Sequence, residues 1–357
     1  MRNIYLLLLV IVLPFNVFSQ DWKASAILQS TSTIEVEGSV LDNDQNIYVY
    51  GTFEGTIENI SPTLSSRASK DIFIAKYTPQ LDLTWIKRIG GPSYTYKPDV
   101  DILNDTLLVT GTFVDSVYFS DTQFQESVGF LDVFVAKYDT SGQYINSELL
   151  FFGSDYHYSG DLKILNQDEY IITGQFWNDS VNINNDTILV GRSNVNDPFY
   201  SKHKFSNHDV IWARYNELNN GAKYSNIAQY NDSIYVNGYF VDSLTFDEGT
   251  IRSKNTSRDL FLYALGQQGN GQWLRRTYSS GDDATATMDY DRYGNLYFGG
   301  FYRSDDFVAD STDNLVSQDT SRLRRHWDLF LMKYNKTGNL QWKRDYGSMG
   351  KEWTRTI

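Results

Sequence analysis

The chain has 357 residues and a formal charge of −13, with no cysteine, 26 Tyr, 21 Phe and 8 Trp against only 6 Pro and 25 Gly. The acidic balance argues against general nucleic-acid binding, and the absence of cysteine excludes a disulfide framework. The length allows a large core, and the aromatic richness without low complexity is that of a β-rich protein.

The N-terminus reads as a secretory signal over residues 1–19. Arg2 supplies the positive start, residues 4–13 form an apolar run, and Val17-Phe18-Ser19 offers small residues at the cleavage-setting positions before Gln20. The run is too short to span a bilayer comfortably, and no later stretch is long and apolar enough. With no cysteine there is no site for lipid attachment. The mature chain from residue 20 is therefore expected to be secreted, at the cell surface or in the periplasm, without a membrane span.

One block then recurs five times. An apolar run ends in Gly, with an aromatic two residues on: Ile47-Tyr48-Val49-Tyr50-Gly51-Thr52-Phe53 first, then Gly111/Phe113, Gly174/Phe176, Gly238/Phe240 and Gly300/Tyr302. The glycines are 60, 63, 64 and 62 residues apart. Such a period marks one supersecondary unit copied along the chain. The second half of the unit is Asp71-Ile72-Phe73-Ile74-Ala75-Lys76-Tyr77, repeated from Asp132 and Asp328, with looser copies from Asp209 and Asp259. Eight residues past this block stands Trp85, Trp273 or Trp342, while Asn146 and Lys223 hold that slot in the second and third copies.

Each unit is predicted to hold four strands. The first is short (39–41 or 100–103) and is followed by a turn such as Asn104-Asp105 or the longer Asp42-Asn43-Asp44-Gln45-Asn46. Asn, Asp and Gly tolerate the positive φ of such turns. The second strand ends at the Gly-x-aromatic. The third alternates Ile72, Ile74 and Lys76 on one face with Phe73, Ala75 and Tyr77 on the other. A turn such as Thr140-Ser141-Gly142 leads to the fourth, which carries the Trp. No segment shows a sustained helical period with caps. Four antiparallel strands in some 60 residues suit a propeller blade. Immunoglobulin-like modules need seven strands and about 100 residues. The fold class is all-β: a β-propeller of four-stranded antiparallel blades, with five full repeats and partial strands at both ends.

On these blocks, residues 25–357 resemble the SBBP β-propeller repeat family of exported bacterial proteins, especially of the Bacteroidetes type. The resemblance implies the fold and no catalytic residues. Trp22-Lys23-Ala24-Ser25 looks like a stray fourth strand, and residues 352–357 like a first strand that stops. The propeller domain, residues 20–357, is therefore expected to be incomplete at its C-terminus.

The chemistry is sparse. His157, His203, His208 and His326 show no His-x₃-His spacing, and His203 and His208 are expected in a long loop before Asp209, so a metal or catalytic role is not the favoured reading. No Gly-x-Ser-x-Gly elbow occurs. Asp42-x-Asp44 and Asp289-x-Asp291 lack the closing Glu of a calcium loop and read as turns. No catalytic residue, metal or cofactor is assigned. The Asp71-type residue, copied five times, is expected to accept hydrogen bonds from loop backbone. Asp-Ser/Thr-apolar triplets, such as Asp105-Thr106-Leu107, Asp115-Ser116-Val117, Asp179-Ser180-Val181 and Asp242-Ser243-Leu244, resemble the O-glycosylation signal of exported Bacteroidetes proteins, but a polar turn entering a strand is the favoured reading.

Recognition is expected on the face that collects the loops between second and third strands and those between blades. In repeats three and five the distance from Gly to Asp is 35 and 28, against 20 or 21 elsewhere, so both are read as insertions on that face. Candidate ligand-binding residues there are Tyr94, Tyr96, Tyr156, His157, Tyr158 and Trp353, with the cations Lys202, His203, Arg322, Arg324 and Arg325. Tyr224 belongs to the same set of rings, several of which could instead pack between blades. The expected function is an exported, non-catalytic scaffold for a glycan or an extracellular protein. The alternatives are a propeller-based glycan hydrolase or lyase, or a purely structural module of a larger surface protein.

Overall fold

The computed structural model describes residues 25–177, 180–185, 187–191, 196–216, 218–303, 307–309 and 327–346. The described residues are all-β, and among them no helix is long and apolar enough to cross a membrane. The chain forms five successive four-stranded antiparallel blades, the β-propeller arrangement of sheets that the repeat predicts. It divides into two compact units, residues 1–149 and 150–357, each described by itself.

In the first unit, blade one is Ile34–Leu41, Ile47–Phe53, Asp71–Tyr77 and Leu83–Ile89, paired in that order. Blade two is Thr95–Leu103, Thr106–Phe113, Asp132–Asp139 and Tyr144–Phe152, the last strand running past the division. The second unit holds blade three (His157–Ile164, Glu169–Trp177, Asn196–Lys204, Val210–Tyr215), blade four (Leu218–Tyr230, Ser233–Phe246, Asp259–Leu265, Gly271–Tyr278) and blade five (Ala284–Tyr290, Leu296–Tyr302, Asp328–Tyr334, Leu340–Tyr346).

The third strands of blades one, two and four are apolar on both faces because both faces are covered. In blade one, Phe73, Ala75 and Tyr77 pack with Ile47, Val49 and Phe53. Ile72 and Ile74 turn the other way, onto Phe134, Ala136 and Tyr138 of blade two. The second unit repeats this: Phe261, Tyr263 and Leu265 pack with Tyr200 of blade three, while Leu260, Leu262 and Ala264 pack with Phe330, Met332 and Tyr334 of blade five. The period-2 alternation therefore sorts side chains between two separate cores, of which the one holding Phe73 is formed by residues 26–86 alone. Phe53, Phe113, Phe176, Phe240 and Tyr302 occupy equivalent positions and are all buried.

The glycine of the repeat has a steric cause. Each first strand breaks register opposite it: between Val36 and Gly38, Tyr96 and Asp99, Ser159 and Leu162, Tyr224 and Asn226, and Thr285 and Thr287. The bulge drives a first-strand carbonyl onto the glycine in three blades, where a Cβ on Gly51, Gly238 or Gly300 would land on the oxygen of Glu35, Lys223 or Ala284. In blade two the space is taken instead by Ile72 Cδ1 and the Phe134 ring, 2.7 and 2.9 Å from such a Cβ on Gly111. The bulge also breaks the alternation, which is why the first strands are longer than their sequence pattern predicts.

Blade three corrects the predicted repeat. Its third strand is Asn196–Lys204, with Asp197 opposite Phe176 just as Asp71 stands opposite Phe53. The block from Asp209, read as strand three, supplies the fourth strand, Val210–Tyr215. Trp212 pairs with Lys202 as Trp85 pairs with Lys76, so the Trp slot assigned to Lys223 is filled. His203 lies in a strand, and His208 in the short turn after it. The insertion inferred from the 35-residue spacing therefore does not exist: Asp197 stands 23 residues after Gly174, close to the other copies. In the extended loop of repeat five, Arg322, Arg324, Arg325 and His326 lie outside the described residues, as do Trp22 and Trp353.

The recurrent acids are structural. Asp71, Asp132 and Asp259 are fully buried, and their Oδ2 atoms accept the backbone N–H of Arg67 (2.7 Å), Val128 (2.5 Å) and Lys254 (2.8 Å). Burial pushes the Asp71 carboxyl up to about 6, with the Arg67 N–H and the Arg88 guanidinium pulling it back. Asp42 and Asp291 close their own turns. Asp42 Oδ1 accepts from the N–H of Asp44 and Asn46, and Asp291 Oδ1 from those of Tyr293 and Asn295. The Asp-Ser-apolar triplets enter strands: Asp115 and Asp242 have φ of 62° and 66°, and Val117 and Leu244 are buried. Asp179 lies outside the described residues.

Candidate functional site

The antiparallel order within a blade puts the turns joining strands one to two and three to four at one end, and the loops joining strands two to three at the other. At the first of these ends, in the second unit, lies a polar cleft of about 710 Å³. Its walls are Leu165, Asn166 and Glu169 from the first turn of blade three, and Lys202 from that blade's third strand. Blade four adds Gln229, Asn231 and Asp232 from its first turn, and Gln267 and Gln268 from its third-to-fourth turn. Asn231 can close so tight a turn because it takes the left-handed conformation, φ 52°.

Lys202 organises the cleft. Its ammonium is almost wholly buried and forms an ion pair with Glu169 Oε2 at 2.6 Å. It also donates to Gln267 O (3.2 Å) and Gln267 Oε1 (3.0 Å). Asn166 Nδ2 donates to Glu169 Oε2 at 3.1 Å. Burial pushes the Glu169 carboxyl up, but the hydrogen bonds from Lys202 and Asn166 outweigh it and hold the group below its ordinary value. Asn231, Asp232 and Gln268 are exposed at the rim and present both donors and acceptors. Among the described residues no cluster of His, Cys, Asp or Glu could hold a metal ion.

The sequence-predicted residues fall differently. Tyr94 and Tyr156 are exposed, at 52% and 39%, in segments leading into first strands. Tyr96 and Tyr158 are half-buried. Tyr94 and Tyr96 belong to the first unit; Tyr156, His157 and Tyr158 belong to the second. His157, Lys202, His203 and Tyr224 are core residues, not rim residues, because they sit on strands covered on both faces. Lys202 lines the cleft from inside, at the opposite end from the face expected for it. The cleft itself was missed in the sequence. The signal that could have found it is Asp197, 23 residues after Gly174, which sets blade three in register, Lys202 opposite Ile171, and so brings the Lys202 ammonium to Glu169 two residues away on the neighbouring strand.

His203 takes the position that Tyr77 holds in blade one. Its Nδ1 contacts His208 O (3.0 Å) and its Nε2 contacts Ser201 Oγ (2.7 Å), while the ring stacks on Tyr170 at 5.0 Å. Burial pushes the imidazole down to about 4, against the opposing pull of the His208 carbonyl. An unfolded histidine titrates near 6.5. Between pH 6.5 and 4, then, only the unfolded chain gains this proton, and acidification draws the equilibrium towards unfolding. His203 is expected to contribute about 3 kcal/mol to the stability lost over that window. His203→Phe should flatten the fall in denaturation midpoint between pH 7 and pH 4.5. An unchanged fall would exclude the assignment.

No protein-family model and no curated protein sequence matches the chain. Three solved structures share 8–10% identity with it. The Dos1 propeller matches at TM-score 0.42, with 10% identity, over 90% of this chain and 70% of that one. A europium-containing methanol dehydrogenase matches at TM-score 0.36, with 8% identity, over 89% and 73%. A member of the DUF4221 family from Bacteroides vulgatus matches at TM-score 0.35, with 9% identity, over 89% and 82%.

Proposed function

We propose that this chain is an exported, non-catalytic propeller scaffold of the SBBP repeat type whose polar cleft in the second unit binds a glycan. The observation that carries the reading is the cleft wall. Side-chain amides of Asn166, Gln229, Asn231, Gln267 and Gln268 alternate with the Glu169–Lys202 pair and Asp232 around a space of about 710 Å³. Closely spaced donors and acceptors on rigid turns suit a polyhydroxylated ligand better than an apolar one. A hydrolase needs one carboxyl held protonated as general acid. Glu169 is biased the other way by Lys202 and Asn166, which favours binding over glycoside cleavage.

The test is a glycan array on the mature chain, followed by calorimetry on any glycan retained. Asp232→Ala with Gln268→Ala removes two exposed rim groups, so melting should be unchanged. Loss of two hydrogen bonds of about 1 kcal/mol each should weaken binding about tenfold or more. An array without a retained glycan, or equal binding by the double variant, removes this reading.

A second reading has one observation in its favour. The loop between the second and third strands of blade two exposes Phe124, Val128 and Phe130. Such apolar side chains grouped on one loop suit a protein partner. That face is where the sequence pattern puts recognition, so a partner mapped there would make the scaffold a protein-binding one.

A further inference from the structure

Residues 279–283, which join blades four and five, are fastened to residues 257–259, where the third strand of blade four begins. Ser257 Oγ donates to Ser279 O at 3.0 Å, and the N–H of Arg258 to Asp282 Oδ1 at 3.2 Å. The N–H of Asp283 donates in turn to Arg258 O at 2.8 Å. In the first unit the matching backbone bond, from Thr95 N–H to Lys70 O at 2.9 Å, puts a threonine at this place. The fold therefore does not require an acid there. Asp283 and the recurrent acid Asp259 are both fully buried, and Ser279 bridges them.

The two carboxyls have opposite settings. Asp259 accepts backbone N–H groups on both oxygens, from Ser279 at 3.2 Å and Lys254 at 2.8 Å, which suits an ionised carboxylate. Asp283 Oδ2 meets the Thr277 hydroxyl at 3.0 Å. Ser279 Oγ lies 2.8 Å from Gly281 O and 2.9 Å from Asp283 Oδ1. A hydroxyl has one hydrogen, and Gly281 O can only accept. Both contacts are hydrogen bonds when the serine hydrogen lies on Gly281 O and Asp283 donates its own carboxylic O–H to Ser279.

No cation pairs with Asp283 among the described residues. Burial pushes the neighbouring Asp282 carboxyl up, but Arg258, 3.2 Å away, and Arg303 outweigh it and hold Asp282 below its ordinary value. Arg276 donates to Arg252 O and lies 4.4 Å from the Tyr278 ring, where Lys254 Nζ also stands, at 5.7 Å. The charges acting on Asp283 are those of Asp259 and Asp282. Burial pushes its carboxyl well above the ordinary value and these two push it further, against the pull of Ser279 and Thr277.

We propose that Asp283 is a proton-held latch: as a neutral acid it fastens the 279–283 connector to blade four, and the connector opens with loss of that proton. An exposed aspartate ionises at about 3.9, whereas the closed group keeps its proton above that pH. Opening therefore releases a proton. It is rarest in acid and becomes about tenfold more frequent per pH unit until the closed carboxyl itself ionises.

The test is amide exchange of residues 279–283 in the mature chain and in Asp283→Asn, from pH 5 to pH 7. The asparagine amide keeps the shape, can donate to Ser279 Oγ and accept from Thr277, and cannot ionise. The ratio of exchange rates, parent over variant, should rise about tenfold per pH unit. Taking the ratio cancels base-catalysed exchange and the titration of other groups, His203 among them. A ratio that does not change with pH overturns the proposal. The carboxyl ¹³C resonance of Asp283 should remain that of the protonated acid at pH 6. It is identified by its absence from Asp283→Asn or, should that variant not fold, by its displacement in Ser279→Ala. An ionised carboxyl at pH 6 also overturns the proposal.

Discussion

Phe113→Ala is expected to lower the stability of the first unit by about 3–5 kcal/mol. Phe113 is fully buried, 6.2 Å from the Phe134 ring, in the core that Ile72, Ile74 and Val109 share with Phe134 and Tyr138. Nothing near it can collapse cheaply, because the backbones on both sides are fixed by strand pairing. The cost therefore combines lost transfer energy with a cavity. Tyr94→Ala, at an exposed ring, is the control and should change little. Guanidinium denaturation followed by circular dichroism measures both. A midpoint for Phe113→Ala within error of the parent would show that the aromatic of the repeat is not a packing residue.

Gly238→Ala should cost about 3 kcal/mol or more, although it adds one methyl group. Its Cβ would land on the carbonyl oxygen of Lys223, and the Phe261 ring stands 2.9 Å from the same point. Backbone cannot move aside as a flexible side chain can, so the first strand of blade four would have to peel from the second at the bulge between Tyr224 and Asn226. Gly249→Ala is the contrasting case. A Cβ there meets nothing, though its φ of 130° carries backbone strain. The two substitutions separate steric closure from conformational preference. Loss of stability should be larger for Gly238→Ala, with increased amide exchange along residues 222–228. Equal effects would remove the close-packing account of the repeated glycine.

The number of blades and their four-strand make-up were legible in the sequence because they are local. A period-2 run such as Ile72-Phe73-Ile74-Ala75 can only sit between two cores, and the structure divides those residues as the alternation predicts. The buried aromatic and the loop-binding aspartate were legible for the same reason: each sits at a fixed offset from its own strand. Blade three was misread where two segments competed for one pattern. Val210-Ile211-Trp212-Ala213 imitates a third strand, while the true one carries Pro198, Lys202 and His203. Composition favoured the imitation; pairing with residues 169–177 decided otherwise.

The sequence by itself determined the all-β class, the five-fold repeat and the faces of the third strands, because strand alternation and turn chemistry act within a few residues. The tertiary structure alone decided that Lys202 and His203 are core, that the glycine opposes a bulge, and that a polar cleft opens in the second unit. Those outcomes depend on groups far apart in the chain. The Lys202 ammonium is held by Gln267, 65 residues on, and the Trp85 indole by Thr140, 55 residues on. No local pattern encodes such distances, because the energy of a buried charge or a close approach is fixed by whatever the folded chain brings against it.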